Sequence, residues 1–389
     1  MSRFFIFLSI IIWAIGAGEP LLASAQRERG LSVGELNCEN LFDTIHAPCM
    51  ADAEFTPDGA RYWGTRRFRR KLNLLARELA SMDPPYMPEI VALLEVENES
   101  VLRDLTRHTR LASLGYRYLI GNGADPRGIN TALIYLQGSF RPLRTFQLLG
   151  AAEQKATGLS TRSILGVEGV TRTGDTLHIL VVHAPSKVGG VAAEKKRAIV
   201  FRALRHYTDS LLACPPYPHV IILGDFNETA TSAAIRQQLG ALAPTKHPQP
   251  QRLYDMAQHA NAINGAKGTY CYRGNWQMLD HCVLSGTLLQ SGRTAAQISG
   301  RQPKDKDRKP RNTDCETQNT DCETQGNNSE PQKNSLYADE SSLIIVDHNF
   351  LMEADKTYGG MKPWRTYVGD YYKGGFSDHL PLLLRLYRR

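Results

Sequence analysis

The sequence predicts a layered α/β domain, and three observations carry the prediction: short apolar runs alternate with helical patterns, several runs stop at a single polar residue, and none is long enough to cross a bilayer. Composition agrees. Hydrophobic residues make up 42% and charged residues 22% of the 389, which excludes a collagen-like, wholly disordered or polytopic membrane chain. Lys and Arg outnumber Asp and Glu by 46 to 39, and the net charge of +7 suits an anionic partner.

The first element reads as an export signal. Arg3 precedes an apolar run from Phe4 to Ile15, and Ala23-Ser24-Ala25 supplies a cleavage site before Gln26. Residues 1–25 are therefore expected to be removed, leaving a mature protein in a periplasm or the medium with no transmembrane segment. Disulfides can form there, but the seven cysteines are an odd number without CxxC spacing. Cys271 and Cys282 are candidates to bridge neighbouring strands, or else small buried hydrophobes.

Seven runs read as strands: Leu31 to Asn37, Ile90 to Glu95, Ile129 to Leu136, Leu177 to His183, Val220 to Asp225, Met278 to Leu284 and Leu380 to Leu386. Thr65 is placed to cap a helix whose Phe68, Leu72, Leu75 and Leu79 recur on one face, and Val191 to Ala213 reads as a second helix. The run Arg66, Arg67, Arg69, Arg70, Lys71 reads as a solvated helix face or a phosphate contact. Residues 287–340 change character. A basic stretch at 301–311 leads into the heptad Asn-Thr-Asp-Cys-Glu-Thr-Gln, repeated identically at 312–318 and 319–325, which cannot bury a core. A single domain over 26–389, interrupted by a disordered low-complexity loop at 287–340, is the expected organisation.

Function is read from the ends of the strands. Four runs end in Asn37, Glu95, His183 and Asp225. Ionised carboxylates at the edge of an apolar layer need donors or a cation, and a hard divalent metal such as Mg²⁺ meets the oxygen preference of Glu95 and Asp225. In Gly224-Asp225-Phe226-Asn227, period two puts Asp225 and Asn227 on one side and Phe226 on the other. Ser377-Asp378-His379 and Leu279-Asp280-His281 add further acids and imidazoles, and an acid beside a histidine fixes its tautomer. Lys187 with Gly189 and Gly190 forms a loop able to approach an anion, and Trp276 is a candidate to stack at a cleft rim.

Taken in order, Asn37-Cys-Glu-Asn-Leu-Phe-Asp43, Ala92-Leu-Leu-Glu-Val-Glu-Asn98, Arg127-Gly-Ile-Asn-Thr-Ala-Leu-Ile-Tyr135, His183-Ala-Pro-Ser186, Gly224-Asp-Phe-Asn-Glu-Thr229, Met278-Leu-Asp-His281 and Ser377-Asp-His-Leu-Pro381 resemble the metal-dependent endonuclease/exonuclease/phosphatase family. The resemblance spans roughly residues 31 to 389, is nearest to secreted bacterial members, and departs from them in Asn130, where Asp is expected, and in the length of the insert. It implies a DNase I-like four-layer α/β sandwich, two packed mixed β-sheets flanked by helices. It further implies that Glu95 and Asn37, completed by Asp378, hold Mg²⁺, with Mn²⁺ or Ca²⁺ as alternatives. Asp225 would deprotonate the attacking water, Asn227 and His183 would grip phosphate oxygens, and His379, held by Asp280, would stabilise charge at phosphorus. The implied activity is a secreted phosphodiesterase or endonuclease acting on nucleic acid as a monomer. A phosphatase or sphingomyelinase-type hydrolase and a non-catalytic binding protein on the same fold are the competing readings.

Overall fold

The computed structural model describes residues 28–289 and 336–388. The expected signal peptide and most of the expected insert lie outside the described residues.

Two mixed sheets face each other. The first has eight strands: β1 (Arg29–Leu41), β2 (Ile90–Val96), β3 (Tyr116–Ile120), β4 (Asn130–Leu136), β10 (Asn261–Ala262), β14 (Leu336–Tyr337), β15 (Leu343–Ile345) and β20 (Leu382–Arg388), in the order β10-β15-β20-β1-β2-β4-β3 with β14 also on β20. The second has six: β5 (Phe140–Leu148), β6 (Ile164–Thr171), β7 (Thr176–His183), β8 (His219–Asp225), β9 (Leu253–Asp255) and β13 (Asp280–Ser285), in the order β5-β6-β7-β8-β13-β9. Three hairpins complete the strands: β11 (Tyr270–Tyr272) with β12 (Asn275–Gln277), β16 (Met352–Ala354) with β17 (Met361–Pro363), and β18 (Tyr367–Val368) with β19 (Tyr371–Tyr372). All seven expected strands are present; six have ends within two residues of expectation, and β1 runs four residues past Asn37 to Leu41.

Alternation sorts each strand between layers. In β7 and β8, Ile179, Val181, Ile221 and Leu223 point into the core shared with the first sheet, whereas Leu180, Val182, Val220 and Ile222 pack under α4 (Gly190–Leu211). On the outer side of the first sheet lie α1 (Thr65–Ser81) and α2 (Glu99–Arg107), and a short α3 (Ala151–Thr157) follows β5. The order is helix, sheet, sheet, helix, the four layers expected.

Three expectations need correction. Thr65 is the first residue of α1, not its cap; Gly64 holds that position without a side-chain hydrogen bond. The basic run on α1 serves the scaffold more than the solvent: Arg67 stacks 4.3 Å from the Tyr372 ring, Arg70 Nη2 donates to the Gly374 carbonyl at 3.1 Å, and buried Lys71 donates to Thr366 Oγ1 at 2.6 Å and to the Phe376 carbonyl. The run thus pins the C-terminal segment that leads into Asp378 and His379. Finally, the insert is shorter at both ends than 287–340, because Leu288 and Leu289 are buried and Leu336, Tyr337 and Ala338 are buried beside β20. Cys38, Cys49, Cys214, Cys271 and Cys282 are free, so the 271–282 bridge is absent.

Candidate active site

Strand register builds the site. Parallel pairing of β7 with β8 sets His183 opposite Asp225, and antiparallel pairing of β13 with β8 sets Asp280 opposite the same residue. Gly224 makes this possible. Its φ is +139°, and a Cβ there would meet the Val182 carbonyl oxygen at 1.9 Å.

The first sheet contributes through irregularity. Pairing breaks between Asn37 and Leu41 in β1 and between Leu93 and Val96 in β2, and Glu39, Asn40 and Glu95 take φ of 49°, 54° and 58°. Non-glycine residues in that region cost ~1–3 kcal/mol each and cluster at functional sites. The distortion lets the Asn40 N–H donate to Glu95 Oε2 at 2.7 Å, aiming Glu95 at the second sheet. Asn37 Nδ2 reaches to 3.5 Å from Asp225 Oδ2, while Asn37 Oδ1 accepts from the Glu39 N–H.

Asp225 lies at the centre. Its Oδ1 accepts from the Asn227 N–H at 2.7 Å and its Oδ2 from Asn227 Nδ2 at 3.0 Å. Phe226 points the other way, stacking on His281 with ring centroids 4.8 Å apart, as period two requires. Burial pushes Asp225 up to about 7, with the His379 charge pulling against it. The second hydrogen of the Asn227 amide goes to the Ala184 carbonyl at 3.1 Å. Both amide hydrogens of Asn227 are thus engaged, one on Asp225 and one on the Ala184 carbonyl.

The two histidines are driven apart. His379 Nδ1 lies 2.7 Å from Asp280 Oδ2, and although burial opposes the charge, Asp280 and Asp225 outweigh it and hold the imidazole well above its ordinary value. His183 has no such partner. Its Nε2 stands 3.7 Å from Glu95 Oε1 and 3.6 Å from Asp225 Oδ2, its Nδ1 is buried without a partner, and burial plus the Arg162 charge keep it neutral.

These groups open onto a cavity of about 490 Å³, lined among others by Glu95, Arg127, Arg162, His183, Lys187, Asp225, Asn227, Asp378 and His379. Asp378 faces it while Arg365 Nη2 sits 3.3 Å from its Oδ2. Trp276 is elsewhere, on a neighbouring cavity of about 380 Å³, and Tyr270 and Tyr272 from the same hairpin line the cleft instead. Tyr270 packs with its centroid 4.9 Å from the His379 ring. Arg162 and Tyr270 were not singled out from sequence; Arg162 precedes β6, so only a polar residue at the start of an apolar run could have flagged it. Asn130 is explained locally: its amide donates to the Glu97 and Gly128 carbonyls at 2.9 and 3.0 Å, which an aspartate could not do.

The donor chemistry fits a hard divalent cation at Glu95, with Asn37 and Asp378 near. Carboxylates crowd there: burial pushes Asp225 and Glu35 up, and Asp280 adds to both shifts while the His379 charge pulls against them. Asp225, Asp280 and His379 also lie close enough to chelate an ion. Within that set His379 Nδ1 and Asp280 Oδ2 already lie 2.7 Å from each other.

Two facing mixed sheets with outer helices and an acid–histidine cleft at one end define a phosphoester hydrolase of the DNase I-like kind. A sequence model of the Endonuclease/Exonuclease/phosphatase family matches residues 32–305, and the chain belongs to that family. No curated protein sequence matches it significantly. Among solved structures, a protein of this family from Bacteroides thetaiotaomicron is 13% identical with a TM-score of 0.50, covering 92% of this chain and 97% of that one. Another from Bacteroides vulgatus is 10% identical with a TM-score of 0.50, covering 92% and 99%. A mannosyl-6-phosphatase from Bacteroides thetaiotaomicron is 13% identical at 0.49, covering 92% and 99%. The first two likenesses show the fold.

Proposed function

We propose that the mature chain is an exported, divalent-metal-dependent phosphodiesterase that cleaves nucleic acid by in-line attack of water. The observation that carries this reading is the meeting of Glu95, His183, Asp225 and the Asp280–His379 pair at one cavity whose wall also bears Arg127, Arg162 and Lys187. Acidic groups suited to water activation thus face basic groups suited to a phosphate backbone.

Asp225, oriented by Asn227 and raised to about 7, is poised to take a proton from water near neutral pH. His379, charged and held by Asp280, offsets negative charge developing on the phosphate oxygens. Neutral His183 offers an N–H to a phosphate oxygen. Glu95, with Asn37 and Asp378, would hold Mg²⁺ (or Mn²⁺ or Ca²⁺), and when bound the metal supplies Lewis-acid stabilisation of phosphate charge.

The net charge of +7 favours a polyanion over a neutral lipid head group. Export is supported by Ala23-Ser24-Ala25, and no helix among the described residues is long and apolar enough to cross a membrane. We take 26–389 as one unit working as a monomer, since a single chain supplies every named site residue. Purified mature protein with Mg²⁺ or EDTA, assayed on plasmid DNA, RNA, chromogenic phosphodiester and phosphomonoester, and sphingomyelin, tests the reading. Metal-dependent cleavage of nucleic acid and diester supports it; activity confined to the monoester or to sphingomyelin overturns the nuclease assignment.

A further inference from the structure

Arg162 is only 7% exposed yet lines the cleft. Its Nη1 donates to Asp125 Oδ2 at 3.0 Å and its Nη2 to the Ala184 carbonyl at 2.8 Å, while Nε is buried without a partner. Arg127 leans on the same carboxylate from the cleft side, with Nε 3.5 Å from Asp125 Oδ1 and Nη1 donating to Asn40 Oδ1 at 3.2 Å. Two guanidinium groups therefore share one aspartate, which leaves this pair of arginines one positive charge beyond Asp125, with Glu95 a further acid acting on Arg162. The arrangement is built into the fold. The loop carrying Asp125 and Arg127 is tied down by the Ala124 N–H to the Thr161 carbonyl, and a Cβ on Gly123 would meet the Ser163 nitrogen at 2.6 Å. A cavity of about 490 Å³ is in the range that holds a whole ligand, beyond one reacting phosphate. Each Nη carries two hydrogens, so both guanidinium groups keep N–H donors for a phosphate oxygen beside these bonds.

We propose that Arg127 and Arg162, bridged by Asp125, form a second anion subsite that binds a phosphate next to the scissile one, so that the preferred substrates carry at least two phosphates. The inference rests on the phosphoester-hydrolase reading and narrows its substrate class. The second phosphate can come from a neighbouring nucleotide or from a small bisphosphate.

The test compares kcat/KM for a dinucleotide with and without a terminal phosphate at either end, and for a sugar bisphosphate against its monophosphate, in wild type and in Arg127→Gln. Arg127 is partly exposed, so this variant leaves the core intact. Wild type should prefer the doubly phosphorylated dinucleotide by at least about tenfold, and Arg127→Gln should bring that ratio near one, with part of it returning in Arg127→Lys. A preference shared by the sugar pair assigns the phosphate to any small bisphosphate; one confined to dinucleotides assigns it to a strand. Equal rates in wild type, or a preference that survives Arg127→Gln, overturns the proposal. Calorimetric binding of both dinucleotides to Asp225→Asn protein in Mg²⁺, with and without Arg127→Gln, reads the subsite without turnover. Phosphate-dependent binding lost with Arg127 supports the subsite even if no phosphoester is hydrolysed, a result that would sink the hydrolase reading alone. Equal binding of the two dinucleotides overturns the subsite.

Discussion

Glu78 offers a sharp test of the electrostatics beneath the site. It is fully buried on the inner face of α1, and neither carboxylate oxygen has a hydrogen-bond partner. Lys71, two turns earlier, spends its ammonium on Thr366 and the Phe376 carbonyl. Burial pushes Glu78 up to about 8; Lys71 pulls it down only in part. The folded protein therefore holds this proton where the unfolded chain, ionising near 4.5, has lost it. A raised folded value means that stability is fully present below the unfolded value and declines as pH rises toward 8. The slope is about 1.4 kcal/mol per pH unit, so ~3 kcal/mol is lost at this site by pH 7. Glu78→Gln keeps the shape and removes the titration. Urea unfolding should find the variant ~2–3 kcal/mol more stable than wild type at pH 7, with the gap closing to under ~1 kcal/mol at pH 5. A variant less stable than wild type at pH 7 would mean that Glu78 is ionised and paired with Lys71, and would refute the reasoning.

The remaining predictions concern chemistry. Glu95→Gln preserves size but removes charge, so a Mg²⁺ titration of diester hydrolysis should shift at least about tenfold upward; an unchanged titration would contradict the metal assignment. Asp280→Asn should lower kcat by at least ~10² with little change in KM, because His379 loses the charge that holds it protonated, and near-normal kcat would count against that role. Replacing 290–335 by a short Gly/Ser linker should leave hydrolysis of a small chromogenic diester intact, since closure entropy changes by only about 0.6 kcal/mol per doubling of loop length. Loss of that reaction in a cooperatively melting variant would show that the segment builds the site. The cut stops short of Leu336–Ala338, which is buried beside β20.

What the sequence made legible follows from burial. Ile90–Leu94 and Val220–Leu223 are apolar enough to have no alternative to a covered sheet, so the polar residues that stop them, Glu95 and Asp225, stand out as costly and therefore as candidates for the site. Residues whose meaning depends on distant partners were not legible. Arg162 meets Asp125 at 3.0 Å only through the fold, and Lys71, read as part of a basic helix face, is buried with its ammonium on Thr366 and the Phe376 carbonyl. Trp276 was the aromatic expected at the rim, whereas the hairpin pairs Tyr270 with Gln277 and packs Tyr270 against His379. The meeting of Asn227 with Asp225 follows from the shared side that period two gives them, whereas its bond to the Ala184 carbonyl has no sequence signature.

Turnover of a chromogenic phosphodiester by folded Asp225→Asn protein in saturating Mg²⁺ bears most directly on the proposed chemistry. If Asp225 is the proton acceptor for the attacking water, kcat falls by at least ~10² while the melting profile stays cooperative and EDTA abolishes what wild type does. Near-wild-type turnover in that variant, or full wild-type activity in EDTA, would contradict a metal-dependent water attack centred on Asp225.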